Sequence, residues 1–256
     1  MTALKDKIAI ITGASSGIGR AAATLFAREG AKLVITARRS AELNELAAAI
    51  EADSGTAIAV AGDVADEAHA QHLVTVTNER FGGLDIAFNN AGIVGAMKPL
   101  HEMSSAEWRE TLDVNLTSAF LCAKYQLPAM IARGGGSLIF TSSFVGYATG
   151  FPGMPAYAAA KAGLVGLVRS IATEFGAQRI RANALLPGGT DTPIAVWDAP
   201  GADPNLRSFI EGLHALKRVA RPEEIAKAAL FLASDASSFM TGAAMLVDGG
   251  ISVTRG

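Results

Sequence analysis

The run Lys7-Ile8-Ala9-Ile10-Ile11-Thr12 passes directly into Gly13-Ala14-Ser15-Ser16-Gly17-Ile18-Gly19 and then into the periodic AAATLFAREG. No other stretch limits the possible folds as much. A nearly continuous β-branched run reads as a strand buried on both faces, the condition of a parallel sheet covered by helices. The glycines at its end permit positive φ and close backbone approach, and the following helix turns its N-terminus to the same point. Strand, glycine turn and helix in that order predict a pyrophosphate site at the first crossover of an α/β sheet. The spacing is GxxxGxG, and an ordinary tight turn is the alternative for the loop taken alone.

The pattern recurs. Further strands are expected at residues 32–36, 56–61, 84–88, 136–141, 180–185 and 243–247, with helices over 40–53, 67–81, 104–132, 157–175 and from 222. Such alternation implies a single doubly wound α/β domain of Rossmann type over residues 1–256, a mostly parallel seven-stranded sheet with helices on both faces. A hydrophobic fraction of 50% supports a buried sheet of that size. Periodicity weakens after residue 193, and residues 194–216 are expected to form a lid over a substrate.

Several function classes are disfavoured. A net charge of -2, with both signs spread along the chain, leaves no footprint for nucleic acid. No apolar run reaches the ~18 residues of a membrane span, and the chain enters a strand within a few residues, without a signal peptide, so a cytoplasmic location is expected. The single cysteine, Cys122, excludes an internal disulfide and reads as a core residue, and the four histidines have no spacing suited to a metal.

Candidate chemistry lies at the strand ends and on one helix. Tyr157 and Lys161 in Tyr-Ala-Ala-Ala-Lys are one helical turn apart, with Cβ atoms roughly 5–6 Å from each other. A neighbouring ammonium lowers a phenol's pKa from ~10, which would let Tyr157 exchange a proton; a tyrosine beside a solvated lysine is the bland alternative. Ser143, after the fifth strand, can meet Tyr157 across the loop 144–155. Asn115 interrupts an apolar helix and is either a satisfied buried amide or part of a proton path. Ala37-Arg38-Arg39 follows the second strand, where a carboxylate would bind a ribose 2′-hydroxyl and a basic residue suits a 2′-phosphate. Arg38 is otherwise a solvated charge. Asp63 and Val64 end the third strand, with a helix cap as the rival role for Asp63. Asn89-Asn90-Ala91-Gly92 ends the fourth, as a turn or as a ligand-facing edge.

In this order TGASSGIG, NNAG, Asn115, Ser143, YAAAK, PGGTDT and the closing VDGG resemble the short-chain dehydrogenase/reductase family over essentially the whole chain. The resemblance implies an NAD(P)-dependent oxidoreductase acting on a carbonyl or secondary alcohol. Tyr157 would be its general acid or base, and Ser143 would donate to the substrate oxygen. Lys161 would lower the tyrosine's pKa and hold the nicotinamide ribose, and Asn115 would continue the proton path through water. Gly13, Ser15, Ile18 and Gly19 would line the cofactor phosphates, Asp63 and Val64 the adenine, with Asn90 near the ribose and Thr192 near the carboxamide. Tyr157 would touch the cofactor as well. Arg38 favours NADP, with NAD possible. The step from Ser143 to Tyr157 is slightly long for the family, which keeps Ser142 in view as the acting serine. A non-catalytic dinucleotide-binding sensor or structural subunit, and a non-redox or epimerase reaction, are the rivals. A homotetramer is expected, built on residues 104–132, 157–175 and the last strand. Phe144, Phe151, Met154 and Trp197 suggest an apolar substrate lining or ordinary packing.

Overall fold

The computed structural model describes residues 2–198 and 201–254. The ends of the expected domain and residues 199–200 of the expected lid lie outside the described residues. Seven strands, β1 (Ile8–Thr12), β2 (Lys32–Ala37), β3 (Thr56–Ala61), β4 (Ile86–Asn89), β5 (Gly136–Thr141), β6 (Ile180–Pro187) and β7 (Ala244–Val247), form one sheet in the order β3-β2-β1-β4-β5-β6-β7. All six pairings are parallel. Among the described residues the α-helices are α1 (Gly17–Arg28), α2 (Ser40–Ala52), α3 (Glu67–Phe81), α4 (Ser105–Leu112), α5 (Ser118–Arg133), α6 (Pro155–Phe175), α7 (Leu206–Leu213) and α8 (Pro222–Ala233).

The two-residue period of a strand, with both faces of the sheet covered, explains why β1 is buried throughout. Ala9 and Ile11 face one core with α1, α2 and α8, whereas Ile10 faces the other with α3, α5 and α6. Truncating Ile10 or Ile11 to alanine would cost about 2–5 kcal/mol. Strand order reverses between β1 and β4, so the loops leaving these two strands diverge and open a crevice at their carboxyl ends.

Four local differences from the expected elements have physical reasons. Asn89 belongs to β4 instead of a turn, because its side chain exchanges two hydrogen bonds (2.8 and 3.0 Å) with the buried Gln126 amide of α5. The long helical region is split by a π-helical stretch, Asp113–Thr117, between α4 and α5. Strand β6 runs two residues further than expected and ends at Pro187, where its last residues pair with β7. Finally, the weakly periodic segment contains α7, whose Ile210 is buried.

Candidate active site

Side chains that close hydrogen bonds between neighbouring strand ends build the floor of the crevice. The Thr12 hydroxyl accepts the N–H groups of Asn90 (2.9 Å) and Ala91 (3.0 Å) across the β1/β4 reversal. Asn90 returns a bond from Nδ2 to the Thr12 carbonyl (3.2 Å), while its Oδ1 accepts from the Thr141 hydroxyl (3.0 Å). The asparagine therefore ties three strand ends together.

The glycine loop fits a dinucleotide's phosphates. Gly19 is buried against Gly13, and a Cβ there would collide with the Gly13 carbonyl oxygen, so the loop folds this tightly only with glycine. Ser16, the N-cap of α1, makes no capping bond with its side chain, and the first turn carries no acidic residue. The N-terminal amides are thus left for an anion, with no carboxylate to repel it. Ile18 packs on the core beneath the loop, and Thr192 leans over it against Gly17. Arg39, rather than Arg38, reaches the loop: its Nη2 donates to Ser15 Oγ (2.9 Å) and Ser16 Oγ (2.8 Å). Arg38 is exposed and, among the described residues, makes no side-chain hydrogen bond. Asp63 accepts the Ala65 N–H (3.0 Å) and is not the helix cap, a role that Asp66 takes for α3. Val64 is buried beside Ala70, Leu121 and Cys122.

On the other side of the crevice α6 presents Tyr157 and Lys161. Lys161 is only 3% exposed; its Nζ donates to the Thr141 carbonyl (2.8 Å) and lies 5.5 Å from the centre of the Tyr157 ring. Burial lowers the Lys161 ammonium to about 8. Burial likewise pushes the Tyr157 phenol above its ordinary value, with a hydrogen bond to Ser143 acting in the opposite direction. The expectation that the ammonium would dominate and lower the phenol is therefore corrected: desolvation favours the neutral form of both groups.

The two serines are bonded differently. The Ser142 hydroxyl is spent on the Lys161 carbonyl (2.7 Å) inside α6, whereas Ser143 accepts the Val145 N–H (3.1 Å) and keeps its proton for Tyr157 or a ligand. Asn115 sits in the π-helical stretch, a distortion common at functional sites. Its amide donates to the carbonyls of Thr111 (2.8 Å) and Ile93 (2.9 Å), and its Oδ1 accepts the Ile93 N–H (3.2 Å). Gly92 lies between Asn115 and Lys161; a Cβ there would come 2.6 Å from Asn115 Oδ1 and 3.2 Å from Lys161 Nζ. The glycine of the Asn-Asn-Ala-Gly motif is what lets these two side chains flank the loop.

One side of Tyr157 packs against an apolar cluster. Phe144, Val145 and Ile251 form a buried cluster on which Phe151, Tyr157, Ala158 and Leu213 pack, and the Phe144 and Phe151 rings meet edge to face at 6.2 Å. Met154 is buried at the entry to α6, and Trp197 packs against the Arg207 guanidinium, 5.9 Å from its ring. Leu213 and Ile251 escaped the sequence reading. Leu206, Ile210 and Leu213 recur at helical spacing and could have revealed α7, but nothing local marks Ile251.

Among the described residues no cluster of three or more His, Cys, Asp or Glu side chains could hold a metal ion, and no helix is long and apolar enough to cross a membrane. Cys122 is free, and burial pushes its thiol up to about 12.

A family model described as "Enoyl-(Acyl carrier protein) reductase" matches residues 13–252. The 2,5-dichloro-2,5-cyclohexadiene-1,4-diol dehydrogenase of Sphingobium indicum is 42% identical, over 98% of both chains. The cis-4-hydroxycyclohexanecarboxylate dehydrogenase of Sinomonas cyclohexanicum is 40% identical, over 97% of both. The crystal structure of levodione reductase superimposes with a TM-score of 0.92 at 37% identity, covering 98% of this chain and 100% of that one. With the glycine loop, buried Lys161 one turn from half-buried Tyr157 and the parallel sheet in place, these full-length matches make the chain a member of the short-chain dehydrogenase/reductase family, an NAD(P)-dependent oxidoreductase.

Proposed function

We propose that the protein interconverts secondary alcohols and ketones carried on apolar six-membered rings, with NADP preferred to NAD. The observation that carries the substrate class is the apolar cluster of Phe144, Val145 and Ile251, with Phe151 and Leu213 packed on it, against which Tyr157 packs. Two relatives named for hydroxyl-bearing six-membered rings support the ring-alcohol part of that class, and one of the two rings also carries a carboxylate.

When bound, the nicotinamide supplies or takes the hydride. Gly13, Ser15, Ile18 and Gly19 would hold its phosphates, Asp63 and Val64 would flank the adenine, and Asn90 would serve the ribose and Thr192 the carboxamide. Tyr157 exchanges a proton with the substrate oxygen, and Ser143 donates a second hydrogen bond to that atom. A phenol kept neutral by burial is a ready donor to a carbonyl. Protonated Lys161 then offsets the charge left on the phenolate and holds the ribose, and Asn115 stands on the path by which the proton is replaced. The 2′-phosphate falls to Arg38 and Arg39, each charge-assisted contact contributing ~1.5–3 kcal/mol, or roughly ten- to a hundredfold in affinity.

The protein is proposed to work as a homotetramer in the cytoplasm, with residues 194–216 as the lid. Exposed Phe239 and Val253 on either side of β7 in the chain, Phe231 on α8 and Phe120 on α5 support the assembly. The free Cys122 suits a reducing compartment.

The test is a panel of cyclohexanols and cyclohexanones against open-chain polyols and sugars, followed at the nicotinamide absorbance. Ring substrates should lead in kcat/KM by at least about tenfold, and Tyr157→Phe should remove roughly 10²–10⁴ of the rate while leaving cofactor affinity within a few fold. Faster turnover of polyols, or an active Phe variant, would refute the proposal.

A further inference from the structure

His214 ends α7 and is 1% exposed, yet it touches none of the groups assigned to catalysis above. Its Nδ1 lies 2.7 Å from the Ile210 carbonyl, and the Gly189 N–H donates to its Nε2 (3.1 Å). A carbonyl can only accept and a backbone amide can only donate. The two partners therefore select one form of the ring, neutral with its proton on Nδ1. The ring is also wedged between two loops: a Cβ on Gly189 would come 2.9 Å from its Cε1, and one on Gly249 would come 3.2 Å from its Cδ2. Gly189 follows β6 and Gly249 follows β7. Leu216 adds a backbone bond to the Gly249 carbonyl (3.1 Å), and Ala220 donates to the Gly189 carbonyl (2.8 Å).

We propose that His214 is a positioning residue that fastens α7 to the loops after β6 and β7 through Nε2. Two things depend on that fastening. The adjacent Leu213 is set in the wall against which Tyr157 packs. Three residues beyond Gly189, Thr192 is held over Gly17. The bond to Ile210 is a local closure of the helix's own last turn, and the bond to Gly189 is the one that joins α7 to the loop after β6. The kinetic consequence rests on the ring-alcohol reading, whereas the tautomer and the fastening do not.

The experiment separates the two bonds. His214→Gln places an acceptor near the Nε2 position and keeps the Gly189 contact, and His214→Asn places polar atoms near Nδ1 and keeps only the local one. With cyclohexanol as substrate, Asn should raise KM roughly five- to tenfold with a smaller change in kcat, Gln should stay within about threefold of wild type, and Kd for reduced cofactor should move little in either. Trypsin should cleave after Lys217 faster in the Asn variant alone. In full-length protein labelled with 15N-histidine, the His214 signal, assigned by its loss in the Gln variant, should show Nδ1 protonated and Nε2 bare. A proton on Nε2, equal KM and cleavage in wild type and Asn variant, or equal damage in both variants would overturn the assignment. If the Asn variant does not fold, the tautomer and the Gln variant decide. If wild type turns over no ring alcohol, the substrate reading falls, and the tautomer and cleavage still judge His214.

Discussion

Replacing Lys161 by methionine should make the protein more stable and inactive. At neutral pH the buried ammonium is held in its charged form although burial has lowered it to about 8 from the usual 10.5. Because the unfolded chain binds the proton more tightly than the native state, charging costs native stability fully below about pH 8. The cost shrinks as pH rises and is gone above 10.5. At ~1.36 kcal/mol per pH unit it amounts to about 3 kcal/mol. Methionine fills nearly the same volume but leaves the Thr141 carbonyl without the donor it has at 2.8 Å, a loss of about 1–3 kcal/mol. The net gain of about 0–2 kcal/mol corresponds to a Tm higher by up to roughly 8 °C in a chain of this length. Thermal melts of the two proteins without added cofactor, at pH 7 and again at pH 10, make the comparison, and the advantage should narrow at the higher pH. A methionine variant that melts below wild type at pH 7, or a gap that does not change with pH, would show that the ammonium is better solvated than its burial implies.

The two serines should part company: Ser142→Ala loses a buried bond to the Lys161 carbonyl and should cost about 1–3 kcal/mol of stability with kcat nearly kept. Ser143→Ala should lose roughly 10² in kcat and, because the Val145 N–H loses its acceptor, about 1–3 kcal/mol of stability as well; a kcat kept here and lost in Ser142→Ala would transfer the role to Ser142. Arg38→Asp should lower NADP use and improve NAD use, and Arg39→Ala should weaken NADP by about tenfold, since its guanidinium already lies on Ser15 and Ser16. Equal wild-type affinities for both cofactors in a binding titration would refute both. Light scattering at micromolar concentration should give a tetrameric mass that Phe239→Glu reduces, and a monomeric wild type would end the case for assembly.

What could be read in advance was chemistry held by covalent neighbours. The strand and glycine loop at residues 7–19 lie in one continuous stretch, and Tyr157 and Lys161 are fixed one turn apart by the helix they share. The strand-end motifs could be placed once the alternation of strands and helices was seen. What escaped depends on partners distant along the chain. Asn89 looks like a turn former until Gln126, 37 residues on, pairs with its amide. The π-helical stretch around Asn115 has the composition of an ordinary helix. The turn formers Pro200, Gly201 and Pro204 just before α7 hid a short helix whose apolar spacing was visible in Leu206, Ile210 and Leu213.

The apolar wall is the extreme case, since its members come from the loop after β5, the end of α7 and the residue after Gly250, and only the fold brings them to Tyr157. This division follows from what each part must do. Proton transfer requires a small set of groups at fixed separation, which local geometry can hold and a short motif can record. An apolar ring is recognised by area, to which any large aliphatic or aromatic side chain contributes at about 25 cal/mol per Å² wherever along the chain it originates. The reaction class therefore leaves a pattern in the sequence, while the proposed substrate class rests on residues of the loop after β5, of α7 and of the closing loop that only the fold packs beside Tyr157.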